Sequence, residues 1–298
     1  MSAQALINES ALGRNRRVKQ LGKLGLWLNP VLAYFFLWAP ILVLVLFSFN
    51  QSKSVASFTG FTLKWYSNIL NNIVGAESAF STEIMLNAFR NSLFVGTIAT
   101  AIATVLGTMI ALAMARGSFP GKRLLDGLLF LPVVIPEITQ AISLAIFFKV
   151  AFDWIHLLSG ERVFPGFHTI IMAHVTFNIS YVAIVARARL ADMDPTLEEA
   201  ARDLGANPWQ TFCRVTFPLI LPGVIAGALL AFTLSLDDFV ITFFTSGVGT
   251  TTLPVFVYGL LKLTVTPEVN AISTIMMLLS TLLIGISLAL QGRSASRS

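Results

Sequence analysis

The chain has 298 residues, 55 % hydrophobic and only 12 % charged, with a formal net charge of +5. A soluble domain carries about twice that share of charge, so a water-soluble globule is excluded and a polytopic membrane protein is expected. One cysteine, Cys213, excludes an internal disulfide and a cysteine metal cluster, and the net charge does not point to nucleic acid because most basic residues flank apolar runs.

Residues 1–25 are polar and basic, with Arg14, Arg16, Arg17, Lys19 and Lys23. They read as a cytoplasmic lead, with an amphipathic surface helix as one form it can take. No cleavable signal peptide is expected, because the first apolar run follows more than twenty polar residues and is long enough to stay in the membrane. Expected spans are about 27–49, 91–115, 124–150, 167–188, 219–236 and 269–290. The second holds Gly96 and Gly107, which suit close helix packing. The third is interrupted by Pro132 and Pro136. Residues 50–88 and 151–166 read as outer loops, 239–268 as a semi-polar segment rich in Gly and Thr, and 293–298 as a basic tail.

Between the fourth and fifth spans lies a polar, helix-forming insert, Arg189 to Pro222. Asp194-Pro195 is a helix start: a capping carboxylate, then a proline whose missing N–H costs nothing in the first turn. Leu197, Ala200, Ala201 and Leu204 fall at i, i+3, i+4 and i+7, one apolar stripe. Gly205 stands where a left-handed helix stop is needed. Asn207-Pro208 opens a second short helix, with Gln210 placed for a capping box and Trp209, Phe212 and Cys213 as its stripe. The expected product is a knob of helix, glycine turn and helix, presented to a partner or to the chain's own base.

Charge orients these elements. With both termini inside, 14 of the 20 basic residues face the cytoplasm and 6 do not, which follows the positive-inside rule and puts the knob inside.

Chemistry-bearing motifs are few. No phosphate-loop pattern occurs, so no ATP site of that kind is expected on this chain, and neither a nucleophile–base pair nor zinc spacing stands out. His156, His168 and His174 read as structural or interfacial. The acids near the membrane are more informative. Glu137 falls inside the expected third span, where a charge costs about 2.5–3.5 kcal/mol and so faces a cavity or a partner. Pro136 before it frees a carbonyl and bends the helix. Asp237 and Asp238 stand together at the outer end of the fifth span, where mutual repulsion calls for a cation; capping of the following segment, or simple solvation at the interface, is the alternative. Trp65 and Tyr66 either stack on an organic cation or anchor their loop at headgroup level.

Two sets of residues carry a family resemblance. Glu199-Ala200-Ala201, three residues, Gly205, nine residues, then Val215-Thr216-Phe217-Pro218 resembles the EAA loop of ABC importer permeases, with Val and Phe for the commoner Ile and Leu. The segments Gly60–Tyr66, Pro136–Leu144, Ala231–Gly247, Thr252–Pro254 and Thr266–Thr274 are similar to spermidine/putrescine permease subunits of the PotC and PotI type. The similarity runs over roughly residues 25–290. Some relatives have Asp where this chain has Glu137.

The resemblance implies an all-α, six-span permease of the type I ABC importer (MetI-like) fold in the bacterial inner membrane. Its membrane domain is expected over 26–292, with 189–218 as the loop that docks on a separate ATPase subunit through Glu199, Ala200, Ala201, Gly205 and Pro218. Two such permeases pair, an ATPase dimer sits beneath, and a periplasmic binding protein delivers the cargo. No cofactor is expected. The substrate path is expected at Glu137, Asp237, Asp238, Trp65 and Tyr66. The same machinery for ferric iron, thiamine or another organic cation is the alternative cargo reading. A secondary transporter or channel is the alternative class, disfavoured because no half-to-half repeat with broken helices is evident.

Overall fold

The computed structural model describes residues 26–71, 82–262 and 266–295; the expected lead (1–25) and the last residues of the expected tail lie outside them. The chain divides into two compact units, one of residues up to Tyr66 with Thr266–Thr274, the other of Ser67–Val265 with Ile275–Ser298. Among the described residues six helices are long and apolar enough to cross a membrane.

In the first unit α1 (Leu26–Phe47) is apolar over its whole length and almost entirely uncovered. A tight loop follows, pinned by one antiparallel bridge between Asn50 and Phe61. Asn50 is fully buried, and its side chain fills the loop's polar needs: Nδ2 donates to the carbonyls of Ser54 and Ser57, and Oδ1 accepts from Thr59 N, each at 2.9 Å. A buried backbone without a ladder requires such partners. α2 (Lys64–Asn71) opens directly after it.

The second unit is built around α3 (Thr82–Arg116), which starts well before the expected Asn91. α3 packs on α6 (Phe167–Ala191) and α9 (Phe217–Asp237). Ala111, Ala186, Leu190, Ile220 and Val224 make one core where the three meet. Small residues permit it: a Cβ on Gly107 would lie 2.8 Å from Val182 Cβ and 2.9 Å from the Ile179 carbonyl. Close backbone approach of this kind is what joins helices where lipid offers no hydrophobic drive.

The expected third span is corrected. It is two helices, α4 (Lys122–Val134) and α5 (Glu137–Ser159), and only α5 has spanning length and hydropathy. Pro132 is tolerated inside α4, but Pro136 pushes Ile135 to extended geometry (φ −71°, ψ 133°) and ends the helix. Pro136 also offers no N–H to the carbonyl of Pro132. Gln140 supplies the missing donor, its Nε2 reaching Pro132 O at 2.6 Å and Ile135 O at 3.2 Å.

The fifth span is longer than expected. α8 (Pro208–Thr211) runs through a π-helical turn (Phe212–Thr216) straight into α9, so helix is continuous from Pro208 to Asp237. Pro218, which cannot donate, follows directly, and the N–H of Phe217 reaches the Phe212 carbonyl, five residues back. α7 (Thr196–Asp203) precedes α8, α10 (Val240–Thr245) and α11 (Leu253–Leu261) follow α9, and α12 (Pro267–Ala295) closes the described chain.

Candidate functional site: an acid-lined cavity and a helical knob

A cavity of about 310 Å³ lies among α5, α6, α9 and α10, and Glu137, Asp237 and Asp238 all line it. Residues predicted from separate spans are therefore brought to one place. Among the described residues that line the cavity there is no Lys or Arg. Its walls are apolar and aromatic, with Phe177, Tyr181, Leu230, Leu234 and Phe239.

Glu137 is not buried at mid-span, as the sequence suggested. It is the first residue of α5 and exposed, because Pro136 ends the preceding helix there. A carboxylate in the first turn is favoured by the helix dipole.

The two adjacent aspartates have parted. Asp238 turns inward: its side chain is 6 % exposed. Oδ2 accepts from the N–H and the hydroxyl of Thr242, both at 2.7 Å, and Oδ1 from Ile241 N at 3.3 Å. It thus caps α10, with His174 Nε2 at 3.3 Å and also 2.9 Å from Thr242 Oγ1. Asp237 is exposed and holds one contact from a neighbouring helix, accepting from Ser280 Oγ at 2.9 Å. It is the last residue of α9, the helix end whose carbonyls disfavour a negative charge. Positive charge is therefore favoured beside Asp237, whereas the Asp238 carboxylate already has its hydrogen-bond partners.

Trp65 and Tyr66 belong to the first unit and are committed there. The Trp65 side chain is buried, with its indole N–H donating to the Asn50 carbonyl at 2.7 Å. The Tyr66 hydroxyl is 2.6 Å from Ser48 Oγ, and its ring stacks on Phe49 at 5.1 Å. Of the two readings of this pair, loop anchoring is the one these contacts fit.

The knob has the predicted joints. Asp194 Oδ1 accepts from Thr196 N at 2.9 Å, and that N–H holds the exposed carboxyl below its usual range. Gly205 has φ +84°, the left-handed stop. Asn207 and Gln210 cap each other reciprocally at 2.9 and 3.0 Å. What the sequence does not show is the direction of its faces. The apolar stripe points out, with Leu197 45 %, Leu204 89 % and Trp209 71 % exposed. The buried side chain of α7 is Glu198, which accepts from Thr216 Oγ1 at 2.8 Å and pairs with Arg116 Nε at 3.2 Å.

His174, expected to be structural or interfacial, is a buried part of a polar core. Glu198 forms a second polar core for which the sequence carries no signal, since it lies between Leu197 and Glu199 on a polar helix.

Over residues 103–297 the chain matches the family of binding-protein-dependent transport system inner membrane components, and it belongs to that family. It is therefore a multi-pass permease subunit, a transport component. It is 40 % identical over 251 residues to the putrescine transport system permease protein PotI of Escherichia coli K12, covering 83 % of each chain. It is 37 % identical over 254 residues to the spermidine/putrescine transport system permease protein PotC of Haemophilus influenzae, covering 85 % of this chain and 91 % of that one. Among solved structures, a bacterial ABC transporter that imports the acidic polysaccharide alginate aligns with a TM-score of 0.65 at 17 % identity, covering 94 % of this chain and 98 % of its own. The MetNI methionine ABC transporter aligns at 0.51 and 15 %, covering 80 % and 100 %. These two likenesses carry the fold, that of ABC importer permeases, and no cargo.

Proposed function

We propose that this chain is a permease subunit of an ATP-driven importer of polyamines such as putrescine and spermidine. The observation that carries the reading is the cavity lined by Glu137, Asp237 and Asp238 with no Lys or Arg among its described lining residues. Its relatives are named for the same cargo. A polyamine is a row of ammonium groups joined by short methylene chains, so it needs carboxylates for its ends and apolar walls between them. Asp237 is the principal ammonium ligand, Glu137 draws the cation in, and Phe239 and Tyr181 offer ring faces. Asp238 shapes the floor through its cap of α10.

The knob docks on the ATPase subunit with its outward stripe and with Glu199, Ala200, Ala201 and Gly205. ATP closes the ATPase dimer, the knob moves, and the spans of this chain and of a second permease rock to admit cargo from a periplasmic binding protein. Hydrolysis resets the inward-open state. The chain itself makes and breaks no bond, and both of its termini lie in the cytoplasm.

The test is uptake of labelled putrescine and spermidine in cells lacking their own polyamine importers, with this chain, its second permease, ATPase and binding protein expressed together. Uptake that requires the full set, and falls at least about tenfold in Asp237→Asn with normal assembly, supports the reading. An assembled complex that takes up neither polyamine, or an unaffected Asp237→Asn, overturns it.

A further inference from the structure

Glu198 is a buried acid that the cargo path does not use. It lies on α7, yet its partners lie elsewhere. Arg116, the last residue of α3, reaches it with Nε at 3.2 Å and Nη2 at 3.3 Å. Thr216, on the π-turn below α9, donates to Oε1 at 2.8 Å. Arg202, one turn on, stands 3.9 Å from Oε2. The carboxylate is 8 % exposed, so water does not screen the pair as it would on a surface.

α3 is tied a second time, about three turns in from its start. Ser92 Oγ accepts from Leu253 N at 2.8 Å, and Asn91 Nδ2 donates to the Thr251 carbonyl at 2.9 Å. Ser92 and Arg116 are separated by about 36 Å of continuous helix, at 1.5 Å per residue. The segment held there joins α10, whose Val240 and Ile241 line the cavity, to α11, and does not itself line the cavity. Side-chain bonds therefore fasten one long helix to the knob at one end and, further along, to the connection that follows cavity-lining α10.

We infer that Glu198 is the positioning residue that fastens the knob to α3, so that displacement of α7 is carried along α3 to the connection that follows α10, a helix that lines the acid-lined cavity. The inference rests on the reading of the knob as the ATPase-docking element. Glu199 and the outward stripe meet the ATPase; Glu198, facing inward, passes the motion on. A helix lacking this tie still docks but moves without its load.

The test uses the assembled four-component transporter in proteoliposomes, measuring polyamine uptake, binding-protein-stimulated ATP hydrolysis and ATPase subunit retained on purification. Glu198→Gln and, separately, Arg116→Gln are expected to retain the ATPase subunit and to hydrolyse ATP while uptake per ATP falls about tenfold, within the usual range of coupling between sites. The exchange Glu198→Arg with Arg116→Glu is expected to restore uptake per ATP to within about threefold, because the pair is remade in reverse. A merely structural role would lower the amount of assembled complex and leave uptake per ATP unchanged. Unchanged uptake per ATP in Arg116→Gln, or a reversed pair no better than the single variants, overturns the inference. Loss of ATPase retention in Glu199→Lys tests the docking reading separately. If retention survives that change, the docking reading fails whatever Glu198 does.

Discussion

The knob and the cavity bury opposite things. In the cavity, apolar and aromatic side chains form the wall and an acid, Asp237, is left exposed. In the knob, Leu197, Leu204 and Trp209 stand in the open while an acid, Glu198, is sealed beneath them. An exposed carboxylate at a helix end that repels it is stabilised by positive charge; an exposed apolar stripe is stabilised by whatever covers it. The difference teaches that the side chain left unsatisfied, rather than the residue class a region is rich in, names its partner.

The sharpest way to break the comparison is at Gly205. A β-branched residue at φ +84° is strongly disfavoured, so Gly205→Val is expected to displace α8 from α7 and abolish ATPase co-purification and uptake, with insertion into the membrane unchanged. Full coupling in that variant would remove the knob from the transport cycle. The next effect separates the two aspartates. Asp238→Ala strips the cap of α10 and takes this acceptor from the N–H and hydroxyl of Thr242, and a buried donor left unpaired costs about 1–3 kcal/mol. It is expected to lower the melting temperature of the detergent-solubilised complex clearly, whereas Asp237→Asn leaves it within a degree or two and acts on uptake. Equal melting temperatures for the two would put the aspartates back into one role. The smallest effect is expected outside both regions. Trp65→Phe keeps an aromatic side chain but removes part of the buried indole and its hydrogen bond to Asn50, about 1–3 kcal/mol for the carbonyl left unpaired. Thermal stability should fall slightly with no change in the uptake KM; a raised KM would return Trp65 to the cargo path.

Much of this was legible in the sequence because it is local. Asp194, Gly205, Asn207 and Gln210 each act within three residues of themselves, through capping and the left-handed stop, and all four stand where their spacing put them. The number of spans, six, followed from length and apolarity, but the third lies further along the chain than its apolar run suggested. The error at Glu137 came from counting an apolar run across a proline: hydropathy does not notice that Pro136 withholds a donor, but the helix does. The different roles of Asp237 and Asp238 were closed to sequence reading, because they depend on His174 and Ser280, which approach from distant helices. The same holds for Glu198, whose partner Arg116 is 82 positions away.

The π-turn at Phe212–Thr216 has a consequence of phase. Successive residues of an α-helix stand about 100° apart, and a turn bonded five residues back rather than four takes in one residue without rotating what precedes it. The apolar pattern of the knob is therefore one residue out of step with that of α9, although the helix runs on. Counting Pro208–Asp237 as one uninterrupted α-helix would put Trp209 about 100° from where it stands. In this chain, aim is stored as a count.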